Sequence, residues 1–455
     1  MTLSKINVDL VLDREIWGSY RLFVLAVCGL TLVTEGFDAQ IMGFVAPAML
    51  KTYGVNRSAL GPVFAAGIVG LLLGAMILGP VADRWGRRPV IIGSLVFFGL
   101  CSLLTVTSSS MEQVLIWRFT AGIGFGGAIP NAIALAADYA PDRKRSTVGT
   151  VMAMAVPLGG AVGGPVVGPI VSNLGWHYVF YLGGFLPLML AGVAFIWLPE
   201  SVRLLAVRGR HGAVAKIVKL IDPNLEFSAD AIADVSEPEL KGVSVRSLFD
   251  EGRATTTVLL WVTLICSYYC LFFLANWLPT VITSSGHHLS EAVNATALFQ
   301  LGGFIGGILF AKAVERYGTF VIAGGYVLAA GSIVATGVFS DATIGIVMLG
   351  TFCSGFFLIS AQVTAVGITA AYYPTSIRST GVGWAMGIAR WGAISGPLVG
   401  GLLTGWDWTT KSIFIAAAIP AMIGAAAIAS VRLGTSAPTS RELSLKGTSA
   451  MAPDV

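Results

Sequence analysis

Charged residues are scarce in this chain. Of its 455 residues, 11% are Asp, Glu, Lys or Arg and 55% are hydrophobic. Soluble domains carry about 25% charged residues, so this composition excludes an ordinary soluble domain. The net charge of +4 is too small to indicate nucleic-acid binding. A mean hydropathy of +0.80 instead indicates an integral membrane protein.

Several sequence signals are also missing. The first 20 residues contain no apolar stretch followed by a cleavage site, so no signal peptide is expected. The five cysteines lie in apolar segments without metal-ligand spacing, which favours buried thiols over disulfides or a metal site. No Gly-x-x-x-x-Gly-Lys-Ser/Thr loop is present, so ATP is not expected to drive the protein. These absences predict no metal site and no ATP-driven step.

Apolar segments long enough to cross a bilayer recur along the whole chain. A spanning helix needs about 20 apolar residues. We predict twelve spans: 21–47, 58–80, 89–108, 113–138, 147–172, 176–198, 256–283, 292–314, 319–340, 342–371, 381–404 and 409–431.

Four unrelated patterns occur twice, about 232 residues apart. The stretch from Gly79 to Arg88 returns, weakened, at 311–318, and Tyr139-Ala-Pro141 returns at 372–374. The glycines at 159–165 return at 392–397, and Pro47 has its equivalent in Pro279. A constant offset indicates a duplicated half, and two parallel repeats in a membrane protein are typical of secondary transporters. For such a transporter we expect no enzyme activity and no cofactor.

The repeat also defines the expected domains. We predict a cytoplasmic N-terminus at 1–20 and an N-terminal six-helix bundle at 21–198. A central cytoplasmic loop at 199–255 leads to a C-terminal six-helix bundle at 256–432. A disordered cytoplasmic tail at 433–455 follows.

Lysine and arginine predict the orientation. Of the 28 basic residues, 23 fall on the side that holds both termini, three on the other side (Lys51, Arg57 and Lys411) and two within spans. Because basic residues mark cytoplasmic segments, both termini are predicted to be cytoplasmic.

Only two acids lie in the middle of a span. Glu35 and Asp38 are three residues apart, so they share one face of a helix. Ionisable groups at this depth are costly and usually functional, and a carboxylate pair suits proton uptake and release. The alternative is a structural pair with Arg118.

A second cluster lies in the repeated loop after the second span. We predict a cytoplasmic gate formed by Gly79, Asp83, Arg84, Gly86, Arg87, Arg88, Asp138, Glu315 and Arg316. A carboxylate can cap the positive end of a helix, and arginines can pair with acids such as Asp138. The alternative is that the arginines only anchor the loop on the cytoplasmic side.

These motifs resemble a known family. The run Gly79-x-x-x-Asp83-Arg84-x-Gly86-Arg87-Arg88 resembles the signature of the major facilitator superfamily. Arg118-Phe-x-x-Gly122-x-Gly124 and Pro199-Glu200-Ser201 resemble its patterns in the fourth span and after the sixth. The resemblance covers about 20–432. It implies an all-α integral membrane protein with twelve transmembrane helices in two pseudo-symmetric six-helix bundles, the major facilitator fold.

Narrower motifs resemble the aromatic acid:proton symporters within that superfamily. These are Thr34-Glu35-Gly36-Phe37-Asp38, Ala275-Asn276-Trp277-Leu278-Pro279-Thr280 and Gly387-Ile-Ala-Arg390-Trp-Gly392. The family usually carries Asp-Gly-x-Asp in its first helix, whereas the first acid here is a glutamate. The resemblance implies import of a benzoate-type acid across the inner membrane of a bacterium, with the proton gradient as the energy source.

Two arginines could hold the substrate carboxylate with paired hydrogen bonds. Arg390 lies near the predicted midplane, and Arg118 belongs to the pattern of the wider superfamily, so we favour Arg390 for substrate. Aromatic and polar side chains nearby suit a ring and its hydroxyl groups. The predicted substrate-binding set is Arg390, Arg118, Phe37, Asn276, Trp277, Gln300 and Gln362, with Trp391 among further aromatic candidates.

The sequence therefore predicts a monomeric, proton-coupled transporter that imports an aromatic carboxylate by alternating access. Three alternatives stay open: a proton-driven efflux antiporter, a transporter of another small organic acid, and a non-transporting chemoreceptor. The glycine pattern at 392–401 resembles one associated with antiporters, and no added signalling domain follows Val431.

Overall fold

The computed structural model describes residues 3–13, 17–222, 227–234, 245–374 and 376–431. Twelve helices in these ranges have 20 to 35 residues. In the first half they are α2 (Ser19–Tyr53), α3 (Leu60–Trp85), α4 (Arg87–Val106), α5 (Met111–Asp138), α6 (Arg145–Asn173) and α7 (Trp176–Trp197). In the second half they are α10 (Ala254–Ser284), α11 (Leu289–Tyr317), α12 (Thr319–Val338), α13 (Ile344–Tyr372), α14 (Arg378–Gly405) and α15 (Thr410–Ala429). The predicted disordered tail at 433–455 lies outside the described residues.

Each predicted span corresponds to one long helix. Eleven of the described helices are long and apolar enough to cross a membrane. The twelfth, α14, has 28 residues but carries Arg378, Arg390 and several glycines, which lower its hydropathy. Several helices extend beyond the predicted spans, and α2 continues to Tyr53. The chain is a multi-pass membrane protein.

The segment between the two halves is partly structured, although we predicted only a loop. It contains α8 (Val202–Val207), α9 (His211–Ile221) and strand β2 (Phe227–Asp234). Strand β2 pairs in parallel with β1 (Leu3–Asn7), which leads into α1 (Val8–Asp13). Short 3-10 turns occupy Arg57–Ala59, Asp142–Lys144 and Val245–Leu248. Helix α9 buries Val214, Val218 and Ile221 against the N-terminal bundle, since this spacing places them on one face.

The same helix pairs pack in each half. In the first half α2 packs on α6, α3 on α5 and α4 on α7; in the second, α10 packs on α14, α11 on α13 and α12 on α15. These pairs are related by the sequence repeat, so the duplicated sequence produces two bundles of one design. Glycines allow the close approach: a Cβ on Gly122 would lie 2.2 Å from the carbonyl oxygen of Gly67.

On one side of the protein, contacts between the two bundles close the space between them. We call the side where α2 begins and α15 ends the terminal side, and the other the opposite side. At the opposite side a Cβ on Gly61 would lie 3.1 Å from the carbonyl oxygen of Pro397, and one on Gly164 would lie 2.2 Å from the Cβ of Ala297. The Gln40 amide donates to the carbonyl oxygen of Ala275 at 3.2 Å. The structure is therefore closed at the opposite side.

Candidate functional site

The centre of the N-terminal bundle contains a buried ion pair. Arg118 of α5 donates from Nη1 to Asp38 Oδ2 of α2 at 2.9 Å and from Nη2 to the Asp38 carbonyl oxygen at 3.1 Å. The other carboxylate oxygen of Asp38 accepts from the Ser102 hydroxyl at 2.6 Å. Asp38 is fully buried and Arg118 is 5% exposed. Both oxygens of Asp38 are thus hydrogen-bonded, so this carboxylate is held in one position.

Glu35 lies one helical turn from Asp38 in a different environment. Its side chain is 2% exposed, and Oε2 has no hydrogen-bond partner. Among the described residues no ion pair includes Glu35. The charges that act on it are those of Arg390, from the other bundle, and of Asp38. The sequence left open whether these acids carry protons or form a structural pair with Arg118; in the structure Asp38 forms that pair, whereas Glu35 Oε2 has no partner.

The C-terminal bundle contains one arginine in the middle of a helix, Arg390. Its side chain is half-buried on α14, near the middle of the helix. Tyr268 of α10 lies within the electrostatic reach of Arg390 and beside Gln362 of α13. The Tyr268 hydroxyl donates weakly to Met386 Sδ at 3.6 Å. A guanidinium, a phenol and an amide on three helices of the C-terminal bundle therefore lie close together, with Tyr268 next to the other two. We did not single out Tyr268 from the other aromatic residues, because nothing in its local sequence distinguishes it.

The other predicted substrate residues are more deeply packed. Trp277 is 1% exposed and donates from Nε1 to the Pro397 carbonyl oxygen at 3.1 Å, with its ring edge-to-face against Phe64. The Asn276 amide donates to its own helix at Phe272, at 2.7 Å. Phe37 and Gln300 lie near the glycines of α6, at Gly163 and Gly160 respectively. All four residues are buried near the seam between the bundles.

Trp391 points away from this region. It is 66% exposed on a face of α14 that is also exposed at Leu398 and Leu402, where the bundles are closed. That face is directed to lipid, so Trp391 is not positioned to contact a ligand between the bundles.

The turn between α3 and α4 is organised by an acid that the gate prediction did not include. Glu200 Oε1 accepts from the backbone N–H groups of Arg87 at 2.9 Å and Arg88 at 3.3 Å, capping the first turn of α4. Gly86 has φ +119°, and a Cβ there would lie 2.1 Å from Glu200 Oε2. The positive φ favours glycine here, and a larger side chain would also displace the Glu200 carboxylate from the cap. The signal in the sequence was Pro199-Glu200-Ser201, which we read only as a family pattern.

Asp138 joins three elements at the same turn. Its carboxylate pairs with Arg87 and with Arg145, the latter at 2.9 Å, and accepts from the Ser201 hydroxyl at 2.5 Å. The adjacent Tyr139 donates its hydroxyl to the Glu200 carbonyl oxygen at 2.8 Å. Burial raises the pKa of Tyr139 well above its ordinary value, so the phenol remains a donor.

The remaining gate residues are less constrained in this state. Asp83 and Arg84 are exposed, and the backbone oxygen of Asp83 accepts from Arg208 at 3.0 Å. Gly79 has no neighbour within 4 Å of an added Cβ. Arg88 donates to the Phe195 carbonyl oxygen at 2.6 Å. In the second half Arg316 is exposed over the Tyr317 ring, and the side chain of Glu315 lies outside the described residues.

The arrangement suits ion binding rather than bond chemistry. A buried carboxylate without a counter-ion can take up a proton, and a half-buried guanidinium can bind an anion. Within the described ranges no group of three His, Cys, Asp or Glu side chains could hold a metal ion.

Comparisons with known proteins agree with this arrangement. The family profile described as Major Facilitator Superfamily matches residues 28–333 and 260–452. The 4-hydroxybenzoate transporter PcaK of Pseudomonas putida is 34% identical over 92% of this chain and 94% of its own. A gallate transporter of the same organism is 34% identical over 94% of this chain and 96% of its own. The benzoate transport protein of Acinetobacter baylyi is 29% identical over 92% of this chain and 91% of its own.

Solved structures show the same fold. A D-xylose-proton symporter superposes with a TM-score of 0.69 at 16% identity, covering 92% of this chain and 98% of its own. The inward open conformation of the xylose transporter XylE from Escherichia coli superposes with a TM-score of 0.67 at 16% identity, covering 94% of this chain and 99% of its own.

Proposed function

Since the chain belongs to the major facilitator superfamily and is a transporter rather than an enzyme, we propose that it imports an aromatic carboxylate together with protons. The observation that carries this proposal is the pattern of charges within the spans. Glu35 forms no ion pair among the described residues and interacts electrostatically with Arg390 of the other bundle, and the Asp38–Arg118 ion pair lies one turn away. No cofactor is required, because the proton gradient supplies the energy.

The substrate class follows from the arginine and from the relatives. The relatives above are named for transport of 4-hydroxybenzoate, gallate and benzoate, each of which has one ring and one carboxylate. We assign the carboxylate to Arg390, since guanidinium groups bind carboxylates with two parallel hydrogen bonds. For a ring hydroxyl we propose Tyr268 and Gln362, which lie beside one another.

The proposed orientation is that of a bacterial inner-membrane protein. The terminal side carries most of the basic residues and is therefore cytoplasmic, so both termini are cytoplasmic and the closed side faces outward. A proton on Glu35 removes the cost of burying a charge in the membrane. We propose that proton and substrate bind together from outside, that the bundles rock, and that both leave on the cytoplasmic side. The site is built within one chain, so a monomer in the lipid bilayer suffices.

Transport by the purified protein tests this function. In proteoliposomes with an acidic exterior, labelled 4-hydroxybenzoate is expected to accumulate several-fold above its equilibrium level and to be lost on adding a protonophore. Vesicles without protein, and labelled 4-hydroxybenzyl alcohol, are the controls. Expulsion of substrate from preloaded vesicles against its own gradient would instead identify an antiporter. Binding without any flux would identify a chemoreceptor.

Asp83 provides a separate test of the proposed cytoplasmic gate. Its carboxylate is exposed in the present state, so we propose that it is used when the cytoplasmic side closes. Asp83→Asn is expected to reduce the maximal transport rate at least five-fold while the Kd for substrate stays within two-fold. Asp250→Asn, at another exposed acid on the same side, is the control and should change neither quantity. Weakened equilibrium binding with an unchanged maximal rate contradicts the gate.

A further inference from the structure

A small polar cavity opens at the closed, outer face of the protein. Its volume is about 190 Å³, below the roughly 300–1,000 Å³ of pockets for drug-sized ligands, so it suits a molecule with a single ring. We call this cavity the outer vestibule. Its walls are formed by Arg57, Thr280, Val281, Ser284, Thr404, Asp407, Trp408, Thr409, Thr410 and Ile413.

Both bundles build the vestibule. Arg57 comes from the turn between α2 and α3, whereas the other wall residues come from α10, α14, α15 and the α14–α15 turn. The neighbouring Ser58 lies against Gly401 and Gly405 of α14. The cavity is thus assembled by the contacts that close the outer side, and a ligand that bridges its walls stabilises the closed state.

Arg57 and the start of α15 bring positive charge and positive backbone potential to the wall, which also contains the acid Asp407. Arg57 is exposed, and no ion pair among the described residues includes it. The 20-residue helix α15 begins at the cavity, with Thr409 as its N-cap and Thr410 as its first residue. Helix N-termini attract anions because their N–H groups lack intrahelical partners.

One buried hydroxyl group in the wall forms no hydrogen bond. Thr280 is 4% exposed, and its Oγ1 has no hydrogen-bond partner. Hydroxyls inside helices usually bond to a carbonyl of the preceding turn, as Thr283 and Thr404 do here at 2.6 and 2.8 Å. An unsatisfied buried hydroxyl costs free energy unless a ligand or water satisfies it, so Thr280 marks a polar binding position.

Trp408 supplies a ring surface and Asp407 a hydrogen-bond acceptor. Trp408 is 44% exposed beside the cavity. Asp407 is exposed and adopts a positive φ of 55°, in the tight turn that leads to Trp408. A hydroxylated aromatic acid matches these features: its carboxylate suits Arg57 and the start of α15, its ring suits Trp408, and its hydroxyl suits Asp407 or Thr280.

We propose that the outer vestibule is a second binding site for a single-ring aromatic carboxylate, separate from the site at Arg390. The choice of ligand rests on the proposed function, because the same molecule would meet the vestibule before it enters the transport path. The vestibule holds this ligand while the outer side is closed.

Equilibrium binding in nanodiscs of neutral lipid tests the proposal without transport. Labelled 4-hydroxybenzoate is expected to occupy two sites per chain in the parent protein. Arg57→Gln is expected to weaken one of them about ten-fold, which corresponds to one lost charged contact. In the Arg390→Ala protein the vestibule site should be the tighter of the two, and adding Arg57→Gln should weaken it about ten-fold.

Lys411→Gln is the matched control, because Lys411 is an exposed cation in the first turn of α15 that does not line the cavity. Its binding constants should stay within two-fold of the parent's, and Trp408→Ala should weaken 4-hydroxybenzoate more than acetate. One site per chain in the parent, or equal losses in Arg57→Gln and Lys411→Gln, would overturn the vestibule. A parent protein that shows Arg57-dependent binding but no uptake would contradict the proposed function and leave the vestibule intact.

Discussion

Glu35→Gln is expected to abolish proton-driven accumulation of substrate while exchange of labelled for unlabelled substrate continues. Glutamine is close in size to glutamate but cannot release a proton, so it fixes this position in the neutral form. Because Glu35 Oε2 has no partner in the structure, the substitution breaks no hydrogen bond there and the protein should keep its parental Tm. Uptake under an imposed proton gradient, counterflow exchange and thermal unfolding in nanodiscs are the measurements.

Asp38→Asn is expected to behave differently, and the contrast makes the test specific. The substitution leaves the buried Arg118 guanidinium without its counter-ion, and breaking a buried ion pair typically costs about 3–5 kcal/mol. The Tm should fall clearly, and Asp38→Asn combined with Arg118→Gln should recover part of it. Ser102→Ala, which keeps the ion pair, is the milder control.

Accumulation at the parental rate by folded Glu35→Gln protein would rule out Glu35 as the proton carrier.

Arg390→Ala is expected to reduce affinity at the transport site for an aromatic carboxylate by roughly ten- to a hundred-fold, since a charge-assisted contact contributes about 1.5–3 kcal/mol. Arg390→Lys keeps the charge but loses the planar two-pronged donor, so an intermediate loss is expected. The guanidinium is half-buried, which leaves it accessible to a ligand. Equilibrium binding to folded protein gives the three constants.

A neutral ring compound distinguishes binding of the substrate carboxylate by Arg390 from a purely structural role of this residue. 4-Hydroxybenzyl alcohol has no carboxylate to bind Arg390, so Arg390→Ala should leave its affinity within two-fold. Trp391→Leu, at the adjacent lipid-facing position, is the matched control and should change neither ligand. Equal losses for acid and alcohol in Arg390→Ala would show that Arg390 supports the bundle, and Arg118 would become the candidate for the carboxylate.

The composition, the length of the apolar segments, the internal repeat and the family resemblance were sufficient for the fold. The apolar segments are long, and no backbone polar group can stay unpaired in lipid, so each segment has to form a helix. The repeat then predicts two equivalent bundles, and the paired packing of α2 on α6 and α10 on α14 confirms it. Between the bundles the spacing of Val214, Val218 and Ile221 favours a helix with one buried face, but we interpreted the segment only as a loop because its charged residues are numerous.

The site was predictable in its residue types but not in its pairings. The sequence alone determined that acids at 35 and 38 and arginines at 118 and 390 lie within spans, because charge is rare and costly there. Only the tertiary structure decided that Asp38 pairs with Arg118 and Ser102, that Glu35 is unpaired, and that Arg390 and Trp391 face different surroundings. The outer vestibule likewise combines Arg57 with residues more than 200 positions away. Helix rotation and the packing of distant helices set these contacts, and both depend on the whole bundle rather than on neighbouring residues.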